Sequence, residues 1–379
     1  MGKRILITCT DSMMKQFLEP HVRYLIKNGY DVEIACSEVL SRLKEIQEDL
    51  GAYVPIHKLN LRRSPLSPIN LKGYFELRNL LEKGNFDLVW TNEPVMGVLT
   101  RIAARNVRKR GTKVLYMVHG FHFYDGAPFF SWLIYYPIES VMARFTDVVC
   151  TINQEDFRRA SRMGFPKVAY IHGIGVDTER FQQKRGTTDI RKELNLSDDA
   201  FLALSVGELN KNKNQQVVLR AIAALHDQSV HYILCGKGVL RKRLERLARC
   251  LGIAPNVHFL GYRMDVNEIY RQADVFVQSS WREGMPLAPL EAAWNDVPTI
   301  VSTARGATDL VEDGVSGFVN RPDDPEGFAR SIKKLRKDPT LRRQMASRAK
   351  ELARPFAVEH TKNELIEVIS ETLTSNNRR

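Results

Sequence analysis

The feature that most constrains this chain is an alternation of short apolar, β-branched runs with amphipathic stretches, which restarts at mid-chain. In the first half, the runs that predict strands are residues 4–10, 31–37, 53–59, 87–92, 113–120, 147–152 and 168–172. In the second half they are residues 201–207, 230–236, 257–261, 275–280 and 298–302. Strands that alternate with helices predict parallel sheets covered by helices on both faces. Two such series predict an α/β protein of two Rossmann-like, doubly wound domains that face each other across a cleft.

The length of 379 residues is too great for one ordinary hydrophobic core. We predict an N-terminal domain over residues 1–172, a glycine-containing linker over 173–199 and a C-terminal domain over 200–355. A last helix within residues 356–379 is expected to join the N-terminal domain. Ligands of open parallel sheets bind beyond the carboxyl ends of the strands. The cleft between the two sheets is therefore the expected site.

The net charge of +12 favours anionic partners, such as nucleotides, lipid diphosphates, phospholipid headgroups or nucleic acid. The best candidate for a basic patch is a set of six side chains, the first three on one helical face: Arg101, Arg105, Arg108, Lys109, Arg110 and Lys113. A solvated surface with a basic bias is the alternative, and the sequence leaves both interpretations open.

The cysteines and the apolar segments indicate where in the cell the protein is expected. Five scattered cysteines, without C-x-x-C or Cys/His spacing, predict buried free thiols in a reducing compartment and no zinc site. No apolar run reaches the roughly 18 residues needed to span a bilayer. Within the most apolar segment, residues 128–138, the aromatic stretch 129–136 is either a buried helix, which its lack of lysines on a polar face favours, or a membrane-facing surface. We expect a cytoplasmic protein, with peripheral membrane contact left open.

Residues 279–291 follow a predicted strand, begin a helix and carry two carboxylates, Glu283 and Glu291. Gly284 lets the backbone approach a ligand closely, and Pro286 suits the start of a helix. The amides that can then face an anion, helped by the helix dipole, are those of Gly284, Met285 and Leu287. We interpret this as a diphosphate site with Glu283 and Glu291 binding neutral hydroxyls. A surface glutamate and a capping glutamate are the alternative.

A second loop, residues 206–215, also connects a strand to a helix. Lys213 stands next to Asn214, the expected N-cap of that helix. A lysine there can neutralise a leaving diphosphate. An exposed basic turn is the alternative.

His119 ends a very apolar strand of the first half, just before Gly120, which permits a sharp turn. This position predicts an imidazole at the mouth of the first sheet. A structural histidine is the alternative, because single-residue signals of this kind are weak.

Several absences narrow the chemistry. The sequence has no D-x-D, and so no obvious Mg²⁺ or Mn²⁺ clamp for a sugar nucleotide. It has no G-x-G-x-x-G, no P-loop and no H-E-x-x-H. These absences argue against a nicotinamide cofactor, a P-loop nucleotide site and a zinc protease.

The segments, taken together and in this order, resemble the family 4 glycosyltransferases of GT-B fold, and most closely their bacterial exopolysaccharide and capsule branch. The segments that carry the resemblance are residues 118–123 (VHGFHF), 151–156 (TINQED), 171–177 (IHGIGVD), 208–214 (ELNKNKN) and the Glu283…Glu291 pair. Arg305-Gly306 and residues 313–318 (DGVSGF) extend it.

The resemblance implies a retaining glycosyltransferase that needs no metal or other cofactor. It would move a hexose or N-acetylhexosamine from a nucleotide-diphosphate sugar, most commonly a UDP-sugar, to a lipid-linked or glycan acceptor. A polyprenyl-diphosphate-linked sugar at the inner face of the plasma membrane is the expected acceptor, bound by the N-terminal domain. The C-terminal domain would bind the donor.

The resemblance also implies residue roles. Glu283 would bind the donor sugar, Glu291 the ribose and Lys213 the diphosphate, while His119 would lie near the donor sugar and its phosphate. His119 and Glu283 are the catalytic candidates. The other donor-binding candidates are Gly207, Glu208, Arg282, Gly284, Met285, Pro286 and Leu287.

Two departures from the family pattern matter. Glu208 stands where many relatives have an arginine, which leaves the second diphosphate cation to Arg282, Lys211 or Arg305. Asp11 and Ser12 replace a glycine-rich first loop and are further candidates for a phosphate contact.

Two other functions remain as alternatives. One is a nucleotide-sugar 2-epimerase on the same fold, which would act without an acceptor. The other is a non-catalytic, basic nucleic-acid-binding protein, which would show strongly salt-dependent binding. No helix-turn-helix or RNA-recognition signature supports the latter, so nucleic acid is not an expected partner.

Overall fold

The computed structural model describes residues 2–10, 18–37, 50, 54–182 and 188–375. Contacts divide the chain into two units, one of Met1–Gly175 with Val358–Arg379 and the other of Val176–Ala357. The chain therefore leaves the first unit after Gly175 and returns to it at Val358. The segment predicted as a linker contains two short helices, Glu179–Gln182 and Ile190–Glu193, both within the second unit.

The first unit contains a parallel sheet whose strands are Arg4–Cys9 (β1), Asp31–Ser37 (β2), Ile56–Leu59 (β3), Leu88–Asn92 (β4), Lys113–Val118 (β5), Val148–Thr151 (β6) and Val168–Tyr170 (β7). Their spatial order is β3-β2-β1-β4-β5-β6-β7. The direction of winding thus reverses between β1 and β4. The central strands are buried along almost their whole length, as expected of parallel strands covered on both faces.

The helices of the first unit are Glu19–Lys27 (α1), Ile69–Gly84 (α2), Pro94–Ala103 (α3), Arg105–Lys109 (α4), Phe129–Met142 (α5), Gln154–Ala160 (α6) and the C-terminal Val358–Thr374. The C-terminal helix buries Leu365 and Ile369, and Lys113 Nζ donates a hydrogen bond of 3.0 Å to Ser375 O just beyond its end. This last helix packs with the first unit although the chain reaches it from the second.

The second unit contains a parallel sheet whose strands are Phe201–Val206 (β8), Val230–Cys235 (β9), Val257–Gly261 (β10), Val275–Gln278 (β11), Thr299–Ser302 (β12) and Gly317–Asn320 (β13). Their order is β10-β9-β8-β11-β12-β13, so the winding reverses between β8 and β11. The helices that follow Glu179–Gln182 (α7) and Ile190–Glu193 (α8) are Gln215–Leu225 (α9), Arg241–Cys250 (α10), Val266–Gln272 (α11), Leu287–Trp294 (α12), Pro325–Lys337 (α13) and Pro339–Ala353 (α14). The C-terminal helix of the first unit is therefore α15.

The predicted fold class, two doubly wound parallel α/β sheets, is confirmed. The predicted strands are present, most of them one to three residues shorter than expected. The sequence analysis missed β13, α13 and α14. β13 is only four residues long, and the D-G and S-G dipeptides before it indicate turns rather than a strand.

The basic patch is not present as predicted, because its members have separate partners. Arg101 is fully buried, and its Nη1 lies 2.8 Å from Glu139 Oε2. Arg108 pairs with Asp147 at 2.8 Å, and Arg110 with Glu82 at 2.7 Å. Helical spacing placed the arginines on one face, but that face packs partly against α5.

Helix α5 corrects a second expectation. The segment 129–136 was expected, on balance, to be buried, but Phe129 and Phe130 are 72% and 71% exposed. The other large apolar side chains on this exposed face are Leu133, Ile134, Ile138 and Val141. The opposite side of the helix contacts the core through Trp132, Tyr135 and Tyr136. The helix thus presents a continuous apolar surface.

Two shorter findings complete the fold. Four cysteines are buried as predicted, whereas Cys250, the last residue of α10, is exposed. Among the described residues, no helix combines the length and the apolar character needed to cross a membrane.

Candidate functional site

The candidate donor site of the second unit lies where the winding of its sheet reverses. The loop 207–214 follows β8, and the loop 279–286 follows β11, the neighbouring strand. Ligands of doubly wound sheets bind beyond the carboxyl ends of the strands at this kind of reversal. The two loops are about seventy residues apart in the sequence, but they are neighbours in the structure because β8 lies next to β11.

Lys213 and Glu283 meet between these loops. Lys213 Nζ lies 2.7 Å from Glu283 Oε1, and both side chains are largely buried. Gln278, the last residue of β11, donates from Nε2 to the same carboxylate oxygen at 2.9 Å. The two residues that the sequence assigned to diphosphate and sugar binding are therefore in direct contact, and a third residue holds the carboxylate in place.

Main-chain contacts fix the two loops to each other. Trp281 N donates to Asn212 O at 2.8 Å, and Asn212 Nδ2 donates to Arg282 O at 2.8 Å. Ser279 Oγ bonds to the carbonyl oxygens of Lys213 and Asn214 at 3.1 and 3.0 Å. These bonds hold the backbone on both sides of the Lys213–Glu283 contact, so its geometry does not depend on two long side chains alone.

Asn214 corrects a detail of the prediction. It stands at the N-cap position of α9, but its φ is 53° and its side chain does not cap the helix. Its Nδ2 instead donates to Ser279 O at 3.1 Å and to Pro322 O at 2.7 Å. The side-chain amide of Asn214 therefore joins neighbouring loops and does not bond to the main-chain amides at the start of α9.

Two glycines are required by close backbone approach. A Cβ on Gly306, whose φ is +71°, would lie 2.0 Å from Gly284 O. A Cβ on Gly236, whose φ is +151°, would lie 1.9 Å from Gly207 O. Gly284 and Gly207, both candidates for donor binding, are therefore each packed against another glycine at which a side chain would clash.

Arg305 supports the carboxylate loop directly. This residue is buried, and its Nε donates to Glu283 O at 2.9 Å. Of the three cations considered as a second diphosphate ligand, Arg305 is thus the one bonded to the backbone of Glu283. Lys211 is exposed, and Arg282 is half-buried in the same loop as Glu283. Glu208 is exposed and accepts a hydrogen bond of 3.0 Å from Asn210 Nδ2.

Glu291 lies within α12, one turn beyond its start. Its Oε2 accepts a hydrogen bond of 3.1 Å from the Tyr270 hydroxyl. Burial raises the pKa of this carboxyl above its ordinary value, although Arg180 and the Tyr270 hydroxyl favour the charged form. The remaining donor candidates lie at the start of α12: Pro286 is the extended N-cap residue, Met285 precedes it and Leu287 begins the helix. Glu291 is not joined to Glu283 by any hydrogen bond among the described residues.

His119 belongs to the first unit and follows β5. Its Nε2 lies 2.9 Å from Oδ1 of Asn92, the last residue of β4. Burial lowers the pKa of His119 to about 4, so its ring is neutral at pH 7. A neutral ring that donates to Asn92 carries its proton on Nε2, which leaves Nδ1 as an acceptor.

Glu93, which follows Asn92, holds the end of β1. Its carboxylate Oε2 accepts from Thr10 N at 2.6 Å, and Oε1 lies 3.7 Å from Arg63 Nη2. Its φ of 65° and ψ of 153° are values that only glycine adopts without strain. Thr10 and Glu93 lie at the reversal of the first sheet, between β1 and β4. Asp11 and Ser12, the candidates next to Thr10, lie outside the described residues.

Sequence reasoning missed several residues of these sites, namely Gln278, Asn212, Asn92 and Glu93. A signal existed for two of them: Gln278 and Asn92 are polar residues at the carboxyl end of buried strands. Nothing in the sequence pattern marks Asn212 or the strained backbone of Glu93, because both depend on a neighbouring loop.

Comparisons with known proteins agree with this architecture. The family model "Glycosyltransferase Family 4" matches residues 17–180, and "Glycosyl transferases group 1" matches residues 186–352. EpsD of Bacillus subtilis (strain 168), which is named as a glycosyltransferase, is 36% identical over 98% of this chain and 97% of its own. An Escherichia coli UDP-Gal:alpha-D-GlcNAc-diphosphoundecaprenol alpha-1,3-galactosyltransferase is 28% identical over 82% of this chain and 81% of its own.

A crystal structure of Anabaena Alr3699/HepE in complex with UDP and glucose superposes with a TM-score of 0.79 at 20% identity, covering 98% of this chain and 100% of that one. This similarity shows a shared fold. With two doubly wound units, both family models and a relative similar over almost its whole length, the chain is a family 4 glycosyltransferase of GT-B fold.

Proposed function

We propose that this protein transfers a hexose or N-acetylhexosamine from a UDP-sugar to a polyprenyl-diphosphate-linked sugar, with retention of anomeric configuration, in the synthesis of an exopolysaccharide or capsule. The name of the Escherichia coli relative specifies a UDP-sugar and a diphosphoundecaprenol-linked acceptor, and the Anabaena structure contains UDP. The similarity to EpsD supports the exopolysaccharide branch.

The observation that carries the proposal is the contact between Lys213 and Glu283 at the reversal of the second sheet. When a donor binds, its diphosphate competes with Glu283 for the Lys213 ammonium. A phosphate oxygen replaces the carboxylate as the partner of the lysine, and Glu283 becomes available to accept hydrogen bonds from sugar hydroxyls. The pair has no net charge, and its two groups are complementary to a charged leaving group attached to a neutral sugar.

The leaving group would be stabilised by fixed positive charge. Lys213 supplies one cation, and we assign the second to Arg305, which is already anchored to the backbone of Glu283. In the transfer, the bond between the anomeric carbon and the diphosphate oxygen breaks, and a bond from the acceptor oxygen to the same carbon forms on the same face. The acceptor proton passes to the departing phosphate. Cationic side chains stabilise the charge on that phosphate, so we expect transfer to proceed without a metal.

We assign positioning roles to the other predicted residues. Glu291 would accept hydrogen bonds from the ribose hydroxyls, and the amides at the start of α12 would face the diphosphate. His119, neutral and oriented by Asn92, would bind the donor sugar or its phosphate by hydrogen bonding rather than by charge.

The apolar surface of α5 supports a lipid-linked acceptor. Its exposed face carries six large apolar side chains from Phe129 to Val141 together with Pro137, with no charged residue among them. A surface of this kind is stabilised when it lies in the interfacial region of a bilayer. We propose that it brings the first unit to the membrane in which a polyprenyl chain is embedded.

The experiment that tests the function is an assay of purified protein with a panel of nucleotide sugars, with and without a synthetic polyprenyl-diphosphate-linked sugar. The proposal predicts an acceptor-dependent product from one or more UDP-sugars. NMR should show that the transferred sugar has the same anomeric configuration in the product as in the donor. Change of the donor to its 2-epimer without acceptor would instead establish the epimerase alternative. An inverted product would overturn the assigned stereochemistry.

A further inference from the structure

The inference concerns a cluster of two histidines and a glutamate in the first unit, none of which belongs to the candidate transfer site. His172 lies just after β7, while His360 and Glu364 lie one turn apart near the start of α15. One donor atom from each of the three side chains lies within 4.8 Å of the others. The cluster joins a loop and a helix that are almost two hundred residues apart in the chain.

The two histidines of the cluster approach the same carboxylate oxygen. His172 Nδ1 lies 2.7 Å and His360 Nε2 lies 3.3 Å from Glu364 Oε1. The other oxygen, Oε2, accepts from the main-chain amide of His172 at 2.8 Å. The amide therefore orients the carboxylate, and two imidazole nitrogens face the remaining oxygen.

This arrangement matches a transition-metal site. Zinc binds imidazole nitrogen and carboxylate oxygen at about 2.0–2.2 Å, which places the donor atoms of a tetrahedral site roughly 3.3 Å apart. The separations of 2.7 and 3.3 Å reach that geometry after small side-chain movements. Two nitrogen donors and one oxygen donor suit Zn²⁺, Co²⁺ or Ni²⁺ rather than Mg²⁺ or Ca²⁺. The bond from His172 N to Glu364 is the kind of supporting contact that metal sites use.

The exposure of the residues permits entry of an ion. His360 is exposed, whereas His172 and Glu364 are half-buried, so the site opens on the His360 side and leaves room for a water as fourth ligand. The packing beneath it is tight, because a Cβ on Gly175 would lie 2.4 Å from Thr361 Oγ1. A bound ion would join the segment by which the chain leaves the first unit to the helix by which it returns.

We propose that His172, His360 and Glu364 form a binding site for Zn²⁺ or a similar transition-metal ion, which stabilises the attachment of α15 to the first unit. The metal has no part in sugar transfer in this proposal. Binding to the folded chain raises its stability by mass action.

The test uses the tag-free full-length chain, stripped with a chelator and titrated with Zn²⁺ by calorimetry and by thermal unfolding. We expect one ion per chain at micromolar concentrations, with a raised melting temperature. His360→Ala is the decisive variant, because its exposed side chain is not needed for folding, and it should weaken binding roughly tenfold or more. Glu364→Gln should also weaken binding, and circular dichroism would check that both variants fold.

Two matched controls separate this site from other metal-binding groups. His231 and His258 form a second pair, with ring nitrogens 3.1 Å apart, and Cys250 is an exposed thiol. His258→Gln and Cys250→Ser should each retain the ion. Co²⁺ should show the visible absorption of a tetrahedral site without a thiolate charge-transfer band. Unchanged affinity in His360→Ala, loss of the ion in either control, or no binding at tens of micromolar would overturn the proposal.

Discussion

Lys213 and Glu283 form an ion pair, with Nζ 2.7 Å from Oε1, at the reversal point of the second sheet. In the proposed function both residues bind the sugar nucleotide, Lys213 through its charge and Glu283 through the sugar hydroxyls. Because they are paired, removal of either residue changes the environment of the other. The predictions below use that coupling.

Replacement of Glu283 should separate catalysis from nucleotide binding. Glu283→Gln removes a charge that is expected to bind sugar hydroxyls, and turnover should fall by roughly two orders of magnitude. Binding of free UDP should be unchanged or slightly tighter, because Lys213 no longer has a carboxylate partner. Steady-state rates and calorimetry with UDP measure the two effects. Glu245→Gln serves as the control and should keep wild-type turnover, because Glu245 is a half-buried carboxylate on α10 that pairs with Arg241. Retention of full turnover by Glu283→Gln would remove this residue from the site.

Gly306 should be essential to the shape of the Glu283 loop. Gly306→Ala places a Cβ against Gly284 O and a non-glycine residue at positive φ, a backbone strain of order 1–3 kcal/mol before the clash is counted. Gly314→Ala is a close control, because Gly314 has a φ of +75° but no atom within 4 Å of the added carbon. Urea unfolding should show a larger loss for Gly306→Ala, together with weaker UDP binding. Equal losses in the two variants would mean that the contact with Gly284 is unimportant.

The sequence carried enough information to predict the fold class and to single out candidate donor residues that meet in the structure. Strand and helix periodicities differ, and functional residues of parallel sheets lie at strand ends, so Lys213 and Glu283 could be proposed without coordinates. The role of Gln278 was not predictable to the same degree. A glutamine at a strand end is a weak signal until the loop that returns beside it is known.

Other features were not predicted, because local sequence patterns do not specify which helices and strands pack against each other. The spacing of Arg101 and Arg105 predicted a basic face, but Glu139 arrives from α5 and buries Arg101. The apolar residues of α5 have the composition of a core helix, and only tertiary packing decides that Trp132 turns inward while Phe129 remains exposed. The backbone of Glu93 is strained at a residue whose side chain accepts a hydrogen bond from Thr10, a tertiary contact that the local sequence does not specify.

The apolar surface of α5 should bind membranes. Replacement of Phe129 and Phe130 together by serine removes two exposed rings, and burial of each ring is worth about 1.5–3 kcal/mol. Binding to vesicles of anionic phospholipid, measured by sedimentation, should fall roughly tenfold or more. Leu66→Ser is the control, because Leu66 is 91% exposed but lies outside α5. A double variant that sediments like the wild type would exclude this surface as the membrane contact.

His119 should make the folded protein sensitive to acid. Its folded pKa of about 4 lies below the ordinary value of 6.5, so the unfolded chain binds more protons between these pH values. Stability should therefore fall as the pH drops from 6.5 to 4, and the whole penalty is present below pH 4. His119→Gln removes this contribution, and urea unfolding at pH 7.5 and pH 5 should show a smaller loss on acidification than in the wild type. An identical loss in both proteins would show that the ring is not held neutral.

The most direct test of the account compares binding of UDP and of uridine to the wild type and to Lys213→Ala, by calorimetry. A charge-assisted hydrogen bond contributes about 1.5–3 kcal/mol, so loss of Lys213 should weaken UDP roughly ten- to a hundredfold. Uridine, which has no diphosphate, should bind as before, and Lys242→Ala, an exposed lysine of α10, should change neither affinity. A Lys213→Ala variant that loses UDP and uridine affinity equally, or loses neither, would contradict the assignment of this lysine to the diphosphate.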